Sequence, residues 1–130
     1  MIRNDCANPL PPEVLRGLDL FNTGKYFEAH EALENGWRAE TGEIRVLYQA
    51  ILQVAVTYLH IERGNFEGAV RVAARALPKL EKLPEACCGV DVAGLRDDFL
   101  SVMEHISEIG AEHIHGFDNG VFKAIKYVVD

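Results

Sequence analysis

Residues 46–61 have the sequence VLYQAILQVAVTYLHI and form the most apolar run in the chain. The run is short for a bilayer span, which needs about 20 residues, and polar side chains interrupt it. Apolar residues fall on nearly every face of a helix drawn through it, which is typical of a helix surrounded by other helices. We therefore predict a buried core helix from about Glu43 to Arg63, with Gly64 as its C-terminal cap.

Helical signals also precede this core helix. Pro11-Pro12 supplies a first-turn proline, an apolar stripe follows, and Asn22-Thr23-Gly24 supplies a stop, which together predict a first helix. A second helix is predicted from near Tyr26 to about Glu40, with Thr41-Gly42 as the break. Because that break is only two residues long, the second and third helices are expected to be antiparallel neighbours.

Two further helices follow the core helix. The fourth begins near Phe66, has a clear helical period, and is expected to kink or end at Pro78. Leu83 to Val90 is predicted to be a loop, after which Asp91 is a plausible N-cap for a fifth helix. The sequence therefore predicts an all-α fold of about five helices packed as antiparallel hairpins.

The length of 130 residues suits one domain with one core. We predict a single helical domain over residues 1–130, with its core at 11–110 and peripheral segments at 1–10 and 116–130. The last segment is expected to be either a short helix or an extended strand of chain lying on the bundle, because Asp118-Asn119-Gly120 is a turn signal.

The charge balance limits the partners. The chain has 20 acidic and 13 basic residues, and its formal net charge of -7 repels phosphate backbones and anionic lipids. We therefore expect no nucleic-acid partner and no membrane partner. The first nine residues contain no apolar run of the length of a signal peptide, which favours a cytoplasmic location.

Three cysteines are present, Cys6, Cys87 and Cys88. Adjacent cysteines rarely bridge each other, no Cys-x-x-Cys pair occurs, and the cytoplasm is reducing. We therefore predict three free thiols. Nucleophilic catalysis by Cys87 or Cys88 has little support, because no histidine is adjacent.

One short pattern occurs twice, 40 residues apart. Residues 24–29 and 64–69 both have the form Gly-x-aromatic-x-x-Ala. The pattern resembles the junction inside helical-hairpin repeats such as the tetratricopeptide type. A tight turn between any two helices favours the same residues, and this simpler interpretation is preferred to a true repeat.

Polar side chains form stripes on two neighbouring helices. His30, Glu34 and Trp37 project from one side of the second helix, at i, i+4 and i+7. On the core helix, Gln49, Gln53, Thr57 and His60 form one stripe, and buried polar groups need partners, since each unsatisfied one costs about 1–3 kcal/mol. We expect the two stripes to face each other, so that His30 and Glu34 meet Gln53 and His60.

Residues 21–37, FNTGKYFEAHEALENGW, resemble the bacterial and archaeal family called domain of unknown function 309. The hallmark of that family is His-x-x-x-Glu-x-x-Trp/Tyr, which His30, Glu34 and Trp37 match. A second similar block runs from Gln53 to Ala69, although Ala50 stands where the family more often has glycine. The resemblance covers about residues 12–82. It implies an all-helical fold of a few packed hairpins, and it supplies no activity.

Several functions are compatible with these residues. The predicted cluster can be a structural network that fixes helix register, or a small-molecule site formed by His30, Glu34, Trp37, Gln53 and His60. It can also be a divalent-metal site, because His30, Glu34 and His60 offer two imidazoles and a carboxylate. The sequence does not show whether the protein is an enzyme.

Two alternatives remain beside that cluster. His105, Glu108, Glu112, His113 and His115 have the composition of a metal site, although histidines near a helix C-terminus are usually exposed to solvent. The protein can instead be a non-enzymatic helical-hairpin module that binds a protein partner, or a homo-oligomer.

Overall fold

The computed structural model describes residues 5–129, and helices account for most of them. The all-α prediction is confirmed, since the one sheet in this range has two strands of two residues each. The α-helices that lie wholly in this range are α1 (Pro12–Asn22), α2 (Tyr26–Ala39), α3 (Arg45–Glu62), α4 (Phe66–Lys82) and α5 (Val92–Ile109). Two 3₁₀ helices follow, at Ala111–Gly116 and Asn119–Val121.

Helix α3 is the centre of the core, as predicted. It packs against α2 on one side and α4 on the other. Leu47, Ile51 and Val54 have no exposed surface, and neither does Tyr58. Burial of apolar side chains on several faces explains the near-continuous hydrophobicity of this helix.

The turns before α2 and α4 have the same geometry. Gly24 and Gly64 both have a left-handed backbone, with φ of 79° and 72°. In both turns the amide of the next residue bonds back to the carbonyl five residues earlier, Lys25 to Leu20 at 2.9 Å and Asn65 to His60 at 2.8 Å. This is the bonding of a glycine-terminated helix, so the repeated sequence pattern corresponds to a repeated turn.

Helix α4 does not end at Pro78 and runs on to Lys82. The amide that proline lacks would have bonded to the carbonyl of Ala74. Ala74 and Pro78 are both exposed, so water can satisfy that carbonyl. Of the two predicted effects, a kink or an end, the end at Pro78 was therefore wrong, because the missing bond lies on the solvent side of the helix.

The segment predicted as a loop between α4 and α5 contains a small hairpin. Strands β1 (Ala86–Cys87) and β2 (Val90–Asp91) pair antiparallel. The predicted cap of α5 is present, because the Asp91 side chain accepts a bond from the amide of Gly94 at 3.0 Å. The tight turn uses Cys88 and Gly89, whose φ values of 54° and 81° are both left-handed.

The prediction of three free thiols was wrong, because Cys6 and Cys87 form a disulfide. The fold brings the two residues to a Cα–Cα distance of 4.4 Å across 81 residues of sequence, and the amide of Cys88 bonds to the carbonyl of Cys6 at 2.8 Å. Cys88 is the free cysteine and is buried. A contact between residues so far apart leaves no local signal in the sequence.

The C-terminal segment lies on the bundle in extended form after its short 3₁₀ helix. Asn22 exchanges two hydrogen bonds with the backbone of Ile125, at 2.8 and 2.9 Å. The ring of Phe122 stacks on Tyr58, with centroids 4.2 Å apart, and Ile125 is buried. Phe122 and Ile125 therefore pack on the core, whereas Lys123 and Ala124 between them are exposed. Residues 1–4 and 130 of the predicted peripheral segments lie outside the described residues.

Within residues 5–129, no helix is both long and apolar enough to cross a membrane.

Candidate functional site

His30 and Glu34 lie together on an exposed face of α2. The Nε2 atom of His30 is 3.4 Å from a Glu34 carboxylate oxygen, and the other oxygen accepts a bond from Arg38 at 2.9 Å. Phe27 is 45% exposed, and its ring centroid lies 6.1 Å from that of His30. We call Phe27, His30, Glu34 and Arg38 the α2 patch. Its polar groups are satisfied within one helix, as i, i+4 pairs usually are.

Trp37 supports the turn between α2 and α3. It is half-buried, and the Arg45 guanidinium lies over its ring, 4.6 Å from the centroid. Arg45 also donates from Nε to the Trp37 carbonyl at 3.2 Å. The contact combines a cation–π attraction with a hydrogen bond, so the role of Trp37 in the structure is to fix this turn.

The polar stripe on α3 faces α4 and not α2. Gln53 accepts a bond from Lys79 at 3.1 Å, and His60 Nδ1 lies 3.2 Å from the Asn65 side chain, at the start of α4. Thr57 is buried and donates to the Gln53 carbonyl at 2.8 Å. A Cβ on Gly68 would lie 2.8 Å from His60 Nδ1, so this glycine leaves the space in which the imidazole sits.

The predicted five-residue site is therefore divided between two surfaces. His30 and Glu34 contact each other on α2, whereas Gln53 and His60 contact α4 and the turn before it. Among residues 5–129, no group of three or more His, Cys, Asp or Glu side chains is placed to hold a metal ion. The predicted metal site at His30, Glu34 and His60 is accordingly not assembled. The short connection between α2 and α3 correctly predicted that the two helices are neighbours. It did not determine whether the polar side of α3 faces α2 or α4.

A row of cations lies beside Gln53 and His60. Arg71, Arg75 and Lys79 occur at i, i+4 and i+8 of α4, with Lys82 one turn further and Arg63 at the preceding turn. We call these five residues the basic stripe. Four of them are exposed, and Lys79 is half-buried. Within the described part of the chain, no carboxylate forms an ion pair with any of the five.

The stripe perturbs the groups around it. Burial, followed by the charges of Arg63 and Arg71, lowers the pKa of His60. Burial, followed by Arg75 and Lys82, lowers the pKa of Lys79. Lys79 donates to the Gln53 side chain and to the Arg75 carbonyl, both at 3.1 Å. The stripe therefore makes the local field positive at His60 and Lys79, and two neutral acceptors hold the ammonium group of Lys79 in place.

The second histidine cluster is not a metal site among the described residues either. His105 contacts the ring of Phe117 edge-on, with centroids 6.4 Å apart. His115 lies over Gly64, where a Cβ would come within 2.1 Å of the imidazole. These histidines pack against the end of the bundle, where the short segments after α5 fold back.

The basic stripe was only partly recognised in the sequence. Arg71 and Arg75 fall outside the apolar period of α4, and both are exposed. The continuation to Lys79 and Lys82 at helical spacing was the signal in the sequence that indicated the full stripe. Gly68 was a second signal, since a small residue opposite a polar stripe marks a close helix contact.

Comparisons with known proteins agree with the family predicted from the sequence. Residues 14–72 match the family described as "Domain of unknown function (DUF309)". Uncharacterized protein YpuF of Bacillus subtilis is 34% identical over 92 residues, which are 68% of this chain and 53% of that protein. An uncharacterized protein of Aquifex aeolicus is 28% identical over 91 residues, which are 69% of this chain and 27% of that protein.

The chain thus spans about half of one relative and about a quarter of the other. The matched region contains α2 and α3 entire and the first part of α4. Over residues 14–72, the resemblance of this chain to the domain of unknown function 309 family is therefore confirmed.

Proposed function

We propose that the protein is a helical-hairpin interaction module that binds an acidic segment of a partner protein along the basic stripe. The observation that carries the proposal is the row of unpaired cations on α4, in a chain whose formal net charge is -7. In such a chain, carboxylates that could neutralise the row are plentiful. The described carboxylates nevertheless do not pair with it.

The row costs stability in the isolated protein. Like charges at i, i+4 on a helix destabilise it by about 0.2–0.5 kcal/mol per pair. Arg71, Arg75 and Lys79 form two such pairs, and the lowered pKa of Lys79 reflects burial first and then the charges of Arg75 and Lys82. Carboxylates of a partner would offset this cost, and residues that bind a partner are often those that destabilise the free protein.

A protein partner fits this surface better than nucleic acid does. Ala74 and Pro78 are both exposed and stand three or four residues from stripe cations, so apolar side chains lie next to the cations on α4. Protein interfaces combine arginine with apolar contacts in this way.

The test uses a synthetic, fluorescein-labelled helical peptide with glutamate at every fourth position. A length of about 12 residues gives about 18 Å of helix, enough to span residues 71–82. Binding is measured by fluorescence anisotropy at two salt concentrations. Arg71→Gln/Arg75→Gln should raise Kd about ten-fold, which corresponds to about 1.4 kcal/mol, and added salt should weaken binding.

The matched control is Arg16→Gln/Lys25→Gln, which removes the same charge from exposed positions around α1. Its Kd should stay near that of the unchanged protein. An equal loss of affinity in both double variants would mean that only net charge matters, and would contradict the proposal. If a single-stranded oligonucleotide bound the stripe more tightly than the acidic peptide does, the partner would be a nucleic acid and the proposal would be wrong. If sedimentation showed a dimer that salt dissociates, the partner at the stripe would be a second copy of this chain.

The small-molecule site predicted from the sequence has weaker support. Its five residues lie on two surfaces, and the contacts of His30 and Glu34 are within α2 and not with Gln53 or His60. Neither the cavity near Cys6 nor the shallower one near Gly36 is lined by any of the five. The cytoplasmic location expected from the sequence stays a prediction.

A further inference from the structure

A cavity lies between the N-terminal segment, the turn of the β1–β2 hairpin and the C-terminal segment. Its volume is about 390 Å³, which is in the range of small-molecule sites. Cys6 and Cys88 line it, together with the segment Ala7 to Leu10, Gly89 and the exposed Val128 and Val129. The cavity is therefore lined by one cysteine of the disulfide and by the free cysteine.

The two cysteines of the disulfide differ in their exposure. Cys6 is half-buried and lines the cavity, whereas Cys87 is only 1% exposed and does not line it. A thiolate attacks a disulfide along the S–S axis, and access decides which sulfur it reaches. Attack from the cavity would therefore occur at Cys6, with Cys87 as the leaving group.

Cys88 is held in the unreactive form. Its Sγ donates to the carbonyl of Asp5 at 3.5 Å, and its amide is bonded to Cys6. Burial, followed by the charges of Asp5 and Glu40, raises the pKa of the Cys88 thiol. Because the thiolate is the nucleophile, a protonated Cys88 leaves the neighbouring disulfide intact at neutral pH.

We propose that this cavity admits a low-molecular-weight thiol, which exchanges with the Cys6–Cys87 disulfide at the sulfur of Cys6. The thiolate of the small molecule attacks Cys6 Sγ, a new S–S bond forms between them, and the Cys6–Cys87 bond breaks. The electron pair goes to Cys87, which takes up the proton released by the incoming thiol. A second thiol can then reduce the mixed disulfide and leave as the oxidised dimer.

The exchange would loosen one end of the molecule. Once the disulfide opens, hydrogen bonds still join the first described residues to the hairpin. They include the bond from the Cys88 amide to the Cys6 carbonyl and the bond from the Cys88 thiol to the Asp5 carbonyl. The hairpin itself stays paired to the C-terminal segment, because Asp91 bonds to Lys126 and Val128 bonds to Gly89, at 2.9 and 3.0 Å. A high concentration of small thiols would thus free the N-terminal segment from its covalent link and would leave the helical bundle folded.

The test uses the folded 130-residue chain purified without reductant. Reduced glutathione is added, the reaction is stopped at intervals with N-ethylmaleimide in acid, and intact mass and peptide mapping follow. We expect one glutathione on Cys6 and one maleimide on each of Cys87 and Cys88, whereas the untreated protein should carry one maleimide, on Cys88. An adduct on Cys87, no adduct at all, or three titratable thiols before glutathione is added would each overturn the proposal.

A variant tests whether the cavity is the route. Ala7 is exposed on the cavity wall, so Ala7→Trp can narrow the entrance with little effect on folding. It should slow the exchange about five-fold, because the rate depends on access to the sulfur. Leu100→Trp, at an exposed position on α5, is the matched control and should leave the rate unchanged. An unchanged rate in the Ala7 variant, with its circular dichroism intact, would overturn the cavity route.

Discussion

Two glycines allow α1 and α2 to approach closely. A Cβ on Gly17 would lie 2.6 Å from Leu33 Cγ, and one on Gly36 would lie 2.6 Å from Val14 Cγ2. Alanine would gain about 1 kcal/mol of helix propensity but would overpack a buried contact at a cost of about 1–3 kcal/mol. We therefore expect Gly17→Ala to lower the free energy of unfolding by about 1 kcal/mol net, measured in urea.

Gly116→Ala is the control for this substitution, because nothing lies within 4 Å of its added Cβ. It should leave the urea midpoint nearly unchanged. A Gly17 variant as stable as the unchanged protein would show that the two helices are not packed this closely.

His60 gives a pH dependence with a definite sign. Burial and the nearby Arg63 and Arg71 lower its pKa, so the unfolded chain binds a proton at higher pH than the folded protein does. The unfolded state then holds more protons, and stability is lost as pH falls from about 6.5 through the folded pKa. His60→Gln keeps a partner for Asn65 and should flatten the pH profile of the free energy of unfolding.

The control for His60 is His113→Gln, at an exposed position outside the bundle. Its stability should fall with pH as steeply as that of the unchanged protein. Equal pH profiles of stability for all three proteins would mean that folding does not lower the pKa of His60.

At the scale of the elements, the sequence predicted the helices because their signals are local. The glycine turns at 24 and 64 and the Asp91 cap were each identified from a few neighbouring residues. The orientation of the α3 stripe was not predictable in this way, since α3 has a helix on either side. Only long-range contacts, such as Gln53 with Lys79, determine which neighbour receives the polar groups.

The central position of α3 gives a direct stability prediction. Ile51 and Val54 have no exposed surface, so Ile51→Ala or Val54→Ala removes methyl groups from a closed core. Each should destabilise the protein by at least about 1 kcal/mol, and the isoleucine variant by about 2–5 kcal/mol. Leu100→Ala, at a 43% exposed position, is the control for urea unfolding and should cost far less. Similar losses at buried and exposed positions would place α3 outside the core.

At the scale of the whole molecule, the disulfide joins the first described residues to the hairpin before α5. It closes a loop across 81 residues of sequence, which restricts the unfolded chain. Cys6→Ser/Cys87→Ser should therefore lower the free energy of unfolding by about 2–4 kcal/mol, measured with the unreduced protein as reference. Cys88→Ser alone is the control and should have a smaller effect. If the double variant were as stable as the reference, the bond would not constrain the fold.

The central claim is that the basic stripe is the surface that binds a partner. Its most direct test is a titration of ¹⁵N-labelled protein with the acidic helical peptide, followed by amide chemical shifts. We predict that the shifts concentrate in residues 53–82, around Gln53, His60 and the basic stripe, and that Arg71→Gln/Arg75→Gln abolishes them. Shifts centred on the α2 patch, or none at low salt, would contradict the account.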